Sequence, residues 1–309
     1  MISLIDDMKT IKLIFRLFIW GIMMSSCHSV STYDRIFASY ENTHKPIRFA
    51  PELTLKENVY KGSFSNDYST FYFFRHIKPD NEDYRIFQST FFENKWGEPK
   101  EVSFSDSSSD LYPMVSTIEE NKLFFLSYRR TPADTSKKPN ANFWYATKTN
   151  NDWTDPKPFE SVNLIYNYNS QPCITNSGNI YFTSNTPDWS RTLTYKIEYK
   201  AGAYQNPVLF DYVNQLRILD TSKTFWEICV SPNEEYMVMT ISEKGKEAKL
   251  YVSSRTNETW TSPSYIGDII KEDMSGNFPY ITKNGEFLIF TRGFSSFYIL
   301  PTKTFVKKE

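Results

Sequence analysis

One stretch of this chain recurs. Residues 275–293 read SGNFPYITKNGEFLIFTRG, and paler copies stand upstream as SQPCITNSGNIYFTSN from Ser170, LYPMVSTIEENKLFFLSYR from Leu111, WEICVSPNEEYMVMTIS from Trp226 and GSFSNDYSTFYFFR from Gly62. Aligning the hydroxyl residue that closes the first apolar run of each copy gives Ser65, Ser116, Thr175, Ser231 and Thr282, at intervals of 51, 59, 56 and 51 residues. A second marker, Trp or Tyr followed three places later by Pro, begins at Trp96, Trp153, Tyr204 and Trp260, at intervals of 57, 51 and 56. Two markers with one period define a structural repeat, and a unit of this size must stack on its neighbours to bury its apolar faces.

Within each copy a short run (PMVS, PCIT, ICVS, PYIT) is followed by a turn-rich patch (IEEN, NSGN, PNEE, KNGE) and then an alternating run such as LFFLSYR or FLIFTR. This is hairpin grammar. A third run follows (DYRIFQST, NFWYATKT, LTYKIEYK, KLYVSSRT, FYILPT), and the Trp/Tyr-x-x-Pro marker supplies a fourth. Four antiparallel strands per repeat make a propeller blade, so the expected fold is an all-β β-propeller of four-stranded antiparallel blades. Only 27 residues follow Thr282, too few for a fourth strand, whereas Pro46 precedes Ser65 by 19 residues, as Pro156 precedes Thr175 and Pro263 precedes Thr282. The segment PIRFAPEL at 46–53 is therefore the missing outer strand, an N-terminal strand that closes the last blade and pairs its open edge. The count is five blades, six if the stretch Leu209 to Thr224 hides further strands.

Composition agrees with strands. Aromatic residues are 17% of the chain, with 21 Tyr and 25 Phe, yet the mean hydropathy of -0.51 shows them interleaved with polar residues. The formal charge of -1, from 35 basic and 36 acidic residues, offers no footprint for a nucleic-acid backbone. The amino terminus departs from the rest: Lys9 and Lys12, then an apolar run interrupted by Arg16, then Met24-Ser25-Ser26-Cys27. This reads as a signal peptide over residues 1–26, with Met8 as a second possible start and Cys27 as a lipidation site resembling a bacterial lipobox. Residues 27–44 read as a polar tether and 45–309 as the propeller domain. An ordinary cleaved signal would also export the chain.

The core pattern P-x-apolar-Ser/Thr-x-x-Gly/Glu-x-x-apolar-apolar-Phe resembles the WD40-like PD40 repeat of TolB-like propellers. With the Trp-x-x-Pro alternation and Phe49-Ala50-Pro51, it is similar to exported PD40 lipoproteins of Bacteroidetes-type bacteria, over roughly Pro46 to Leu300. The usual Ser-Pro-Asp-Gly turn is nearest at Ser231-Pro232-Asn233-Glu234 and Thr282-Lys283-Asn284-Gly285 and has drifted elsewhere. The resemblance implies a scaffold for protein or glycan contacts in the cell envelope, periplasmic or at the outer membrane.

Few residues suggest chemistry. A glycosidase-like propeller needs two carboxylates facing each other across the axis. Glu227 is the clearest acid near the start of an inner strand, while Gln171 and Phe278 stand at its equivalents and Asp110 is offset. No nucleophile elbow, phosphate loop, sialidase box or histidine triad is present. A non-enzymatic binding or assembly module is the first expectation, a glycan-active enzyme using Glu227 as acid/base the second, and a sensor subunit the third. Arg75, Arg129, Asn185, Ser242 and Arg292 end the second runs. They would lie at one level of the ring, as contacts for an acidic ligand or, more blandly, as hairpin caps and partners of nearby acids. The marker aromatics suit packing at the blade rims more than sugar stacking. Trp144, Trp189 and Trp226 break the repeat, and Trp189, in the loop NTPDWSRT, is the candidate ligand anchor. Cys173 and Cys229 occupy equivalent positions and invite a disulfide, though their apolar flanks favour buried free thiols. No metal or cofactor is expected: His28, His44 and His76 have no ligand spacing with the cysteines.

Overall fold

A computed structural model describes residues 30–54, 58–78, 83–119, 121–131, 141–149, 152–159, 168–186, 188 and 190–307. Each repeat is one antiparallel sheet. The inner strands are Val59–Phe64, Asp110–Val115, Tyr168–Ile174, Lys223–Val230 and Asn277–Ile281. The second strands are Thr70–Lys78, Lys122–Ser127, Ile180–Asn185, Tyr236–Glu243 and Phe287–Arg292. The third strands are Asp83–Phe92, Asn142–Thr149, Thr192–Ile197, Lys249–Thr256 and Ser296–Pro301. The protein is a five-bladed all-β propeller.

Each outer strand begins at the residue after a marker proline: Lys100–Glu101, Lys157–Pro158, Val208–Leu209 and Ser264–Tyr265. The marker aromatic itself sits one step earlier, in a two-residue hairpin against a strand end (Trp96 opposite Phe91, Trp153 opposite Lys148, Tyr204 opposite Tyr199, Trp260 opposite Arg255). Proline has no N–H to donate, so it breaks the hairpin and lets the chain return as an edge. The fifth outer strand comes from the other end of the described chain, as the spacing of Pro46 predicts: Ile47 pairs with Ile299 and Arg48 with Tyr298. Phe49 N then donates to Phe297 O at 2.9 Å.

The repeated hydroxyl has a local cause. In the turn between inner and second strands it accepts backbone N–H groups: Thr70 N to Ser65 Oγ at 2.9 Å, Glu119 N to Ser116 Oγ at 3.0 Å, Tyr236 N to Ser231 Oγ at 3.0 Å and Phe287 N to Thr282 Oγ1 at 3.0 Å. Ser or Thr supplies this acceptor on a short arm. Three residues on, the turn needs a left-handed backbone, at φ +85° for Gly178 and +78° for Gly285, with Tyr68 and Glu234 taking +62° and +60° at a cost that glycine avoids.

Two expectations change. The stretch read as a possible sixth blade contains the helix Asp211–Leu219, whose Val213 and Asn214 are buried. The polar tether is packed from Thr32 onward: Thr32–Phe37 is helical, capped by Ser31 Oγ, which accepts from Asp34 N. Phe37 is fully buried and stacks on Phe49 and Phe287 at centroid distances of 6.3 and 4.9 Å. The apolar Ile36-Phe37 pair is too short for a periodic signal in a polar segment, but burying one such ring contributes about 1.5–3 kcal/mol. With Phe64, Phe71, Phe287 and Phe297 these residues form the core over the closure seam.

Candidate axial binding site

The inner strands are bulged, and the position of the bulge decides what reaches the axis. Where Pro113, Pro172 and Pro279 stand three residues before the hydroxyl, the ladder is interrupted at the proline and the residue before it. That preceding residue, Tyr112, Gln171 or Phe278, turns to φ +53°, +58° or +56°. Blades 1 and 4 carry Gly62 and Ile228 instead of Pro, and both pair normally (Gly62 with Phe73, Ile228 with Met239). The bulge therefore moves back by one residue, to Tyr60-Lys61 and Trp226-Glu227. A bulge re-aims side chains, and its displacement makes two of five blades different.

The residues four before each hydroxyl, Lys61, Tyr112, Gln171, Glu227 and Phe278, meet around the axis. Lys61 Nζ crosses from blade 1 to blade 3 and donates to Pro172 O at 2.6 Å. Gln171 Nε2 donates to Glu227 Oε1 at 3.3 Å, and Phe278 N donates to Glu227 Oε2 at 3.1 Å. The Tyr112 and Phe278 rings lie 6.2 Å apart. Lys61 and Glu227 are 2% and 3% exposed, so a base and an acid are both buried here. Burial pushes the Glu227 carboxyl above the usual range, while hydrogen bonds and the Lys61 charge act the other way. The only carboxylate among the five is Glu227, and the ionisable group of opposite sign is a lysine rather than a second acid.

Toward the short turns the blades are tied together across the axis. The residues after each hydroxyl bridge the blades: Asn66 Nδ2 donates to Ser116 O at 3.0 Å, Thr117 Oγ1 to Thr175 O at 2.7 Å, Asn176 N to Pro232 O at 2.8 Å, Asn176 Nδ2 to Lys283 O at 3.2 Å and Lys283 Nζ to Asn66 Oδ1 at 3.0 Å. Between these ties and the level of Lys61 and Glu227, side chains accept the N–H of the next inner strand. Ser63 Oγ takes Val115 N at 3.1 Å, Cys173 Sγ takes Val230 N at 3.3 Å and Tyr280 Oη takes Phe64 N at 3.3 Å. The two cysteines are thus free, buried thiols that seal blade seams. Their mutual contact raises the Cys173 thiol and lowers that of Cys229.

At the opposite end, the face of the longer loops, the mouth is aromatic. Tyr60, Phe278 and Phe294 have centroids 5.4 to 5.9 Å apart, and Phe294 is 42% exposed. Trp226 is 47% exposed, its Nε1 donating to Ser242 Oγ at 2.8 Å. Trp144, by contrast, is buried.

The second-strand set is distributed, not convergent. Arg129 is buried and donates to Asp110, to Ser127 Oγ at 2.9 Å and to Phe104 O at 3.0 Å, with Asp106 at 3.2 Å. Burial dominates at Asp110, whose carboxyl rises to about 6 despite Arg129. Arg292 Nε donates to Ser275 O at 3.2 Å, Arg75 Nη2 to Leu53 O at 2.8 Å, and Asn185 Oδ1 accepts from Thr192 at 2.6 Å. Each thus holds its own blade or the loop beside it. Trp189 and Cys27 lie outside the described residues. Lys61 carries no acid signature in the sequence; the shared absence of proline in KGSFS and EICVS is the signal that marks both of these blades.

No family model matches the chain, and no curated protein matches it. Among solved structures it is similar to TolB from Acinetobacter baumannii, at 10% identity and a TM-score of 0.47. That match covers 79% of this chain and 54% of the other, so the chain spans about half of that protein. A protein of unknown function from Dyadobacter fermentans matches at 12% identity and TM-score 0.47, over 84% and 83% of the two chains. A gluconolactonase from Xanthomonas campestris matches at 8% identity and TM-score 0.46, over 85% and 91%. The class, a five-bladed propeller, rests on the strand pairing itself.

Proposed function

We propose that this chain is an exported, lipid-anchored propeller that acts as a non-enzymatic binding module of the cell envelope, with its ligand entering the axial mouth on the loop face. The carrying observation is an axis bridged by repeat-derived hydrogen bonds at one end and bearing at the other side chains that depart from the repeat, with Trp226 and Phe294 exposed. The signal-like segment before Cys27 supports export and a lipid tether, and the ligand is an envelope glycan or a protein segment presented to the mouth.

Co-purification of the lipid-bearing protein from membranes after mild crosslinking, with captured proteins and glycans identified by mass spectrometry, tests this reading. A ligand present with the wild type and missing with Trp226→Ala supports it. A capture unchanged by Trp226→Ala, or a Cys27→Ser variant that still takes up lipid label, overturns the mouth or the anchor respectively.

The alternative, a glycan-active enzyme, draws on the raised carboxyl of Glu227, a feature of general acids. It needs a second acid where the axial level offers Lys61. Turnover of an aryl glycoside that is lost in Glu227→Gln would favour it.

A further inference from the structure

The axial level raises a question of cost. Burying a charge is expensive, and an ion pair in the interior stabilises less than well-packed neutral groups of the same shape. Tyr112, Gln171 and Phe278 fill the equivalent places without charge. Lys61 and Glu227 both arise where the proline is absent and the bulge is displaced, in blades that are not adjacent. Departures from local regularity that cost stability concentrate at functional sites. Neither residue reaches the other as a direct ion pair: Lys61 donates to Pro172 O, and Glu227 accepts from Gln171 Nε2, Phe278 N and the Thr240 hydroxyl. An ammonium has three protons and a carboxylate about four lone pairs, so two protons of Lys61 and one lone pair of Glu227 remain for a ligand.

We infer that Lys61, Gln171 and Glu227, beneath the rings of Tyr60, Trp226, Phe278 and Phe294, form a subsite for one uncharged sugar ring, the terminal residue of a glycan. This rests on the axial-mouth reading above and names its ligand class. A donor-only ammonium, an acceptor carboxyl and an amide that does both match a ligand rich in hydroxyls, which give and take hydrogen bonds at once. The two charges are of opposite sign, so the set offers no net attraction to an ion. The rings above supply apolar faces against which the C–H face of a saturated ring packs, and Trp226 and Phe294 are exposed enough to be met first. Glycan chains continue outward through the mouth, because the ties of Asn66, Thr117, Asn176 and Lys283 bridge the axis at the other end.

The test is titration of the full chain with methyl glycosides of glucose, galactose, mannose and N-acetylglucosamine, read by tryptophan fluorescence and calorimetry, with glucuronate and diglycine as charged and zwitterionic controls. At least one neutral glycoside should bind, with affinity falling tenfold or more in Trp226→Ala and in Glu227→Gln. The double variant K61M/E227Q should lose binding while melting at or above the wild-type temperature, as expected if the charges serve a ligand. Binding of glucuronate or diglycine in preference to every neutral glycoside overturns the ligand class. A K61M/E227Q protein that melts lower, together with a wild type that binds no glycoside, overturns the subsite and makes the pair structural. The broader reading fails separately: it survives if an envelope protein is still captured through Trp226, and falls if no capture depends on the mouth.

Discussion

The two ends of the central axis are built from the same five strands and differ in kind. At the turn end the blades share one device: a hydroxyl that accepts a backbone N–H in four of them and meets Glu234 in the third blade, a left-handed turn residue in four, and a following residue that bridges to another blade. At the loop end, blades 2, 3 and 5 keep an X-Pro bulge while blades 1 and 4 lose it and present Lys61 and Glu227. Repetition is where the chain secures its ring, and departure from repetition is where it holds costly groups. The turn end should therefore govern stability and the mouth should govern binding.

The closure seam gives the strongest test of that division. Phe49 is 1% exposed and touches Phe64, Phe71 and Trp96 edge-on, so Phe49→Ala should cost about 3–5 kcal/mol in urea unfolding. Glu234 is next: its carboxylate takes Thr175 Oγ1, Ser177 Oγ, Asn179 Nδ2 and Tyr181 Oη at 2.6 to 3.0 Å. Glu234→Ala leaves these donors without their acceptor and should cost about 2–4 kcal/mol, with ligand capture by the remaining folded protein unchanged. If either variant weakened capture while keeping its stability, the division between the two ends would be lost.

Asp110 blurs the division usefully, since it is a buried acid at the loop end. Its folded value of about 6 lies above the unfolded one, so the folded protein holds its proton to higher pH. Its contribution is fully present below the ordinary carboxylate value near 3.8 and is lost as pH rises through about 6. Two pH units correspond to roughly 3 kcal/mol at most. The difference in unfolding free energy between wild type and Asp110→Asn should shift by up to that amount between pH 4 and about 7 and then level off, and a flat difference would place Asp110 as an ordinary ion pair with Arg129. The smallest effect on stability belongs to Trp226→Ala. Half exposed and bonded only to Ser242, it should change unfolding by less than about 1 kcal/mol while abolishing capture. A large loss of stability there would make the mouth part of the scaffold.

Much of the fold was legible because its causes are local. A hydroxyl in a turn, a proline before an edge strand and an apolar run in a buried strand each act within a few residues, so they repeat wherever the blade repeats. The outer strand at Ile47–Arg48 was legible for the same reason, through the spacing of Pro46 alone. The docked helix Thr32–Phe37 was not, since its two apolar residues gain meaning only against Phe64 and Phe287. The arginine row was legible as a position but not as a role: the acid beside Arg129 and the carbonyls beside Arg75 and Arg292 are set by how loops return to each blade.

What the sequence determined by itself is the period, the strand pattern and the way the ring closes, because each follows from short-range backbone preference and burial. Only the tertiary structure decided that Lys61, 111 residues from Pro172 along the chain, would cross the axis to it, and that Glu227 would face a lysine and an amide instead of a second acid. Closing five blades into a ring makes neighbours of residues from distant repeats, and no local propensity encodes which of them share the centre.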